Sequence, residues 1–199
     1  MEELYKKTLD RLKAELKKQL PEIEANGDWL WHHPEAGFKE TETQKYCLEV
    51  LKNHGFEACT WPDVTGFTCT YDTGRPGPCV MIMGEMDSLI CYSHPDCNPE
   101  TGAAHACGHS IQVATAMGAF ITLTESGVLE NFGGKVMLAG VPAEECLEIE
   151  WRTREIQKGR LHYLCGKAEL LYRGAFDGVD IVISMHAGLG NDGTITILG

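Results

Sequence analysis

Cysteine, glycine and histidine follow one another at Cys107-Gly108-His109, where a Gly- and Pro-containing loop gives way to an apolar stretch with helical spacing. An acid pair, Glu144-Glu145, and then His186 come downstream. Thiolate, imidazole and carboxylate are the side chains that ligate transition metals. A further carboxylate beside a ligand is what metal-assisted hydrolysis uses as a base. Gly108 permits a turn that aims the side chains of Cys107 and His109 at one point. The amino end of the following helix is expected to favour the Cys107 thiolate and lower its pKa. Glu144 and Glu145 are neighbours in sequence and so point in different directions, one towards a metal and the other towards a substrate. Asp87 is a candidate to orient a ligand from behind. Each residue alone has a plainer reading: a structural cysteine, a solvated acidic turn, a strand-end cap, a buried histidine. Their joint occurrence favours a metal site. The thiolate suits zinc, and the carboxylates also admit manganese or cobalt.

These groups need elements to bring them together. Apolar runs at Phe67–Tyr71, Cys79–Met83, Lys135–Ala139 and Val179–Ser184 read as strands. Helical spacing runs over 3–30, with Pro21 expected to kink the helix or start another, and over Glu42–Asn53, Ile111–Glu125, about Glu148–Lys158, and Lys167–Arg173. The alternation predicts an α/β fold, a layered mixed sheet with flanking helices. In such sheets ligands bind beyond the carboxyl ends of the strands. Glu85 and Asp87, Glu144 and Glu145, and His186 all follow strands there, while Cys107 and His109 enter at a helix start. Ile90–Gly102 reads as a loop. The charge-dense segment Cys146–Leu164 reads as a surface insertion, and the final ITILG as part of a strand or hairpin.

Seventeen basic against 29 acidic residues give a formal charge of -12, which disfavours nucleic acid and anionic membranes as partners. A hydrophobic content of 43% over 199 residues allows one domain with a real core. The sequence has no apolar run of the length that spans a bilayer and no apolar signal core at its start. Nine cysteines, several inside strand-like runs, read as free thiols of a reducing compartment, which predicts the cytoplasm. No Cys-x-x-Cys spacing occurs, which argues against a thiol redox protein.

The segments WHHPEAGFKET, GEMDSL, HACGH, VPAEE and SMH, in this order, resemble the amidohydrolase branch of the aminoacylase and carboxypeptidase-G superfamily of metallopeptidases. That branch includes indole-acetyl-amino-acid and aminobenzoyl-glutamate hydrolases, and the resemblance runs from about Trp29 to the end. It implies two divalent metal ions, with Cys107 in the bridging position and His109, Glu145 and His186 as further ligands. It implies Glu144 as general base, Asp87 as the aspartate of the strand-end motif, and Glu85 where other branches place a metal-binding histidine. The implied reaction is hydrolysis of an amide bond in an N-acyl or N-aroyl amino acid or small peptide. Glu144 takes a proton from the attacking water and passes it to the departing amine.

Ser110 stands where the family usually has an acidic or amide residue, and Gln112 where many members have a further histidine. Both changes bear on substrate contacts. The family also carries a smaller dimerisation and lid domain and a returning catalytic segment with one more metal-binding histidine. Residues 1–199 are therefore expected to be the N-terminal portion of the catalytic domain of a homodimeric parent. The alternative reading is an inactive fragment or a non-catalytic metal-binding or assembly module.

Overall fold

The computed structural model describes residues 2–188, so the ITILG segment lies outside the described residues. Helix α1 (Glu2–His32) is one unbroken helix that contains Pro21. No second helix starts at Pro21; the helix continues through it, with Pro21 and Lys17, whose carbonyl loses its helical donor, both exposed to solvent. Helix α2 (Thr41–Asn53) starts on a carboxylate. Glu35 accepts hydrogen bonds from the Glu42 and Thr43 N–H groups and from the Thr41 and Thr43 hydroxyls, which satisfies donors the helix cannot.

Strands β1 (Ala58–Thr60), β2 (Phe67–Asp72) and β3 (Cys79–Glu85) follow. A small antiparallel pair, β4 (Leu89–Ile90) and β5 (Ala103–Ala104), brackets the predicted loop. Helix α3 (His109–Glu125), β6 (Lys135–Val141), α4 (Ile149–Gln157), α5 (Gly166–Tyr172) and β7 (Ile181–Ser184) complete the described chain. The main sheet has the order β1-β2-β6-β3-β7. It is mixed: β2 runs antiparallel to β6, whereas β3 is parallel to both β6 and β7. The fold is the expected layered α/β arrangement. Strands β1, β4 and β5, only two or three residues long, escaped the sequence reading because such runs carry too little periodicity.

The core lies between the sheet, α1 and α3, around Leu30, Leu51, Phe67, Met117, Phe120 and Leu138. Burial of each such side chain is worth about 1.5–3 kcal/mol. Helix α3 is apolar on all sides because it is covered on two. Gly118 meets Ile23 of α1, where a Cβ would clash, and Val113 and Ala116 pack closely on Gly84 of β3, where a Cβ would be a tight fit. The Cys146–Leu164 segment lies largely on the surface, as expected, with most of its residues exposed. It carries α4, whose Arg152 is fully buried, donates to the Leu164 carbonyl and lies over the Phe38 ring. Arg152 is the exception within this exposed segment, since an arginine can bury against an aromatic face.

Glu40 is fully buried and accepts hydrogen bonds from Thr65 and from the Ala143 N–H. Burial, opposed by the Thr65 hydrogen bond and helped by nearby Asp87, pushes its pKa from 4.5 up to about 7. The folded state therefore holds the proton more tightly than the unfolded state. The contribution of Glu40 to stability is fully present below pH 4.5 and is lost as pH rises through about 7, by about 3 kcal/mol in all. Glu40→Gln is neutral at every pH and can still accept from Ala143. Urea unfolding at pH 5 and pH 8 should show the variant gaining on the native protein by about this amount; an equal difference at both values would refute the assignment.

Candidate metal centre

Strand register decides which side chains meet. Glu85 pairs with Val141, and Met83 with Ser184, so the carboxyl ends of β6, β3 and β7 lie side by side. Glu85, the Glu144-Glu145 turn and His186 thereby share one edge of the sheet. Gly108 brings in the remaining pair. It adopts φ 96 at the amino end of α3, a left-handed conformation, and sits against Ala187.

Cys107, His109 and His186 come together, and so do Glu85, His109 and Glu144; the ligand atoms of each cluster lie within 4.8 Å of one another. Cys107 Sγ is 3.6 Å from His186 Nε2, and the rings of His109 and His186 meet edge to face at 5.3 Å. His109 is buried and its Nδ1 lies 2.9 Å from the Asp87 carbonyl, with the Asp87 carboxylate at 3.3 Å. Nδ1 therefore carries a proton, and in the neutral ring Nε2 keeps the free lone pair. That Nε2 has no hydrogen-bond partner and faces Glu85 at 3.2 Å and Glu144 at 4.0 Å. A buried lone pair aimed at carboxylates has the geometry of a ligand waiting for a cation.

Asp87 also accepts the Glu145 N–H at 2.9 Å. Glu145 belongs to neither cluster, but its carboxylate bears on Cys107. Burial first, then Glu145, Glu144 and Glu85, push the Cys107 thiol up to about 12. The expected lowering by the α3 amino end does not occur, because the helix offers a partial charge while the carboxylates carry full ones. A divalent cation reverses that balance and deprotonates a coordinated thiol. For His109, burial alone lowers the pKa, but Asp87 and Glu85 together outweigh it and the net shift is upward. The sulfur, nitrogen and oxygen donors and their unmet charge fit a metal ion.

The turn that carries the acid pair is held from several sides. Ala143 sits at φ 48, unusual for a residue with a Cβ. Glu40 holds its N–H, and its carbonyl accepts the Gly166 N–H at 3.0 Å. Gly166 lies so close to the Pro142 carbonyl that any Cβ would collide with it. The next residue, Lys167, consequently reaches the site, in contact with Glu85 and 3.4 Å from Glu144. Sequence reasoning missed Lys167, since one lysine on a short helix carries no signal. Gln112 faces the strands instead of a substrate: it accepts from the Glu85 N–H and donates to Ser184, tying the ends of β3 and β7 together. Ser110 is buried beside it, with no partner for its hydroxyl. Burial, then His109, lower the pKa of buried His105 to about 4, which keeps it neutral.

No family model matches the chain. An N-acyl-L-amino acid amidohydrolase of Geobacillus stearothermophilus is 26% identical over 183 residues, covering 87% of this chain and 44% of the relative. An N-acetyl-L-cysteine deacetylase of Bacillus subtilis is 27% identical over 174 residues, covering 86% and 36%. A solved dinuclear metal-binding peptidase of the M20 family from Bacillus subtilis aligns with a TM-score of 0.67 at 24% identity, over 88% of this chain and 44% of that one, which establishes the fold. The chain spans less than half the length of these relatives.

If Asp87 orients the donors, Asp87→Asn should weaken zinc binding about 10–100-fold with secondary structure intact. Competition against a chromophoric chelator measures this, and unchanged affinity would rule out that role.

Proposed function

We propose that this chain, a member of the aminoacylase and carboxypeptidase-G superfamily, is the N-terminal portion of the catalytic domain of a metal-dependent amidohydrolase acting on N-acyl or N-aroyl amino acids or small peptides. The observation that carries the reading is the bare Nε2 of buried His109, aimed at Glu85 and Glu144 with Cys107 and His186 alongside. The names of the relatives point to amide hydrolysis, and one solved neighbour is dinuclear. We read Cys107, His109, Glu145 and His186 as the residues that would hold two divalent ions, zinc or manganese, with cobalt as a substitute. When bound, such ions polarise a carbonyl and acidify water.

Glu144 is the general base. Its side chain is one-third exposed and lies 4.0 Å from the His109 Nε2, which supports this reading by putting it within reach of both the cluster and a solvent water. It removes a proton from the attacking water and returns it to the departing amine. Asp87 fixes the tautomer of His109 and the position of Glu145, acting through both. The resemblance carries with it a homodimeric parent. All nine cysteines are unpaired, which supports a reducing, cytoplasmic compartment. Among the described residues no helix is long and apolar enough to cross a membrane.

The metal-loaded full-length protein should hydrolyse members of a panel of N-acyl amino acids. Glu144→Gln should lower the rate about 10²–10⁴-fold at unchanged metal content. Equal turnover by the variant, or a native protein that takes up no metal, would defeat this reading.

A further inference from the structure

The Glu144 side chain stands one-third exposed on its turn, and an exposed glutamate samples many rotamers. A general base needs the opposite: one oxygen held within hydrogen-bond reach of the proton it takes. Two contacts tell its oxygens apart. Oε1 accepts from the Lys167 ammonium at 3.4 Å, and Oε2 faces the His109 Nε2 at 4.0 Å. Glu85 is divided in the same way. Its Oε1 contacts the same ammonium, and its Oε2 faces the same nitrogen at 3.2 Å.

Lys167 is itself held at both ends. Gly166 has no Cβ, and only so can α5 start directly on the Pro142 carbonyl with its N–H bonded to the Ala143 carbonyl. The backbone of Lys167 is thereby tied to the residues just before Glu144. At the other end, Glu85 anchors the ammonium, since a carboxylate only 6% exposed needs a partner. An ammonium has three protons and can serve both acids at once. Glu85 lies outside the ligand set of Cys107, His109, Glu145 and His186, and Glu144 is the base. Neither acid therefore has to release the lysine when that set is filled.

We propose that Lys167, anchored on Glu85, is a positioning residue for the general base: it occupies Oε1 of Glu144 and so presents Oε2 towards His109 and the attacking water. This rests on the reading of Glu144 above and adds which oxygen acts and what holds it. As the water oxygen bonds to the amide carbon, Oε2 takes the water's proton, and it returns that proton to the nitrogen as the C–N bond breaks. Lys167 neither gives nor takes a proton and acts only through the carboxylate it holds.

The test uses the zinc-loaded full-length protein, with steady-state kinetics on an N-acyl amino acid that it hydrolyses, metal analysis and circular dichroism. Lys167→Met should lower kcat about 10–100-fold, with KM and zinc content as in the native protein. Lys167→Arg, which keeps donors for both acids, should recover most of the rate. In a Glu144→Gln background, Lys167→Met should cost little more, because the lysine acts through that carboxylate. A crystal structure of Lys167→Met without metal should show Glu144 turned away from His109. An unchanged kcat in folded Lys167→Met overturns the proposal. So does a full further loss in the Glu144→Gln background, or a rise in KM alone, which would make the lysine a substrate contact. Should Lys167→Met fail to fold, Lys167→Gln and Glu85→Gln carry the same comparison. Loss of zinc from Glu85→Gln overturns the proposal, since Glu85 would then be a ligand and not an anchor. If Glu144→Gln turns over as the native protein does, the base assignment and this proposal fall together; a slow Glu144→Gln beside a native-like Lys167→Met defeats this proposal alone.

Discussion

Asp87 is a fully buried carboxylate that answers to two donor residues at once. One side of it, with its own main-chain carbonyl, fixes the ring of His109, and the other oxygen takes the N–H of Glu145. Helix α3 and the turn after β6 are thereby registered to the end of β3 through one side chain. A buried charge needs partners; Oδ2 has one in the Glu145 N–H, while Oδ1 makes no hydrogen bond and has only the His109 ring at 3.3 Å. That requirement ties the integrity of the fold to the alignment of the site. Removing Asp87 would free both donor residues at the same time.

Around that carboxylate stand Glu85, Glu144 and Glu145, with the Cys107 thiol pressed upward in pKa by burial and by these same acids. Such an assembly is electrostatically incomplete by itself. Lys167 offsets part of the charge at Glu85 and Glu144, and the imidazole of His109 offsets another part when protonated. Divalent cations would supply the remainder, which is why the donor chemistry and the charge balance argue for the same occupant. Glu40, a short way behind the site, meets the same scarcity of positive charge by holding its proton to about pH 7.

The backbone bears the cost of these convergences at a few defined places. Ala143 adopts a left-handed conformation that a residue with a Cβ disfavours by about 1–3 kcal/mol. Hydrogen bonds to Glu40 and Gly166 hold it there. Gly108 and Gly166 are glycines for different reasons. The first needs a positive φ and the second needs the absence of a side chain against Pro142. Both bring chemistry-bearing residues, Cys107 with His109 and Lys167, to the same edge of the sheet.

The α/β class, the longer strands and the two main helical segments were legible in the sequence, because apolar periodicity reports which face of an element is buried. The sequence offered Cys107, His109, Glu145 and His186 as donors and Glu144 as a base; the structure brings Cys107, His109 and His186 together and sets Glu144, not Glu145, beside His109 and Glu85. The sequence could not assign which glutamate of the pair joins the cluster nearest His109. It placed Cys146–Leu164 on the surface but did not show that Arg152 within it is buried. Nor could it foresee that Gln112 stitches β3 to β7 or that Lys167 reaches the acids from α5. Local pattern determined the elements and the donor types, since both follow from neighbours in the chain. Tertiary structure alone decided the partners, because strand register and glycine-permitted close approach bring together groups that lie tens of residues apart.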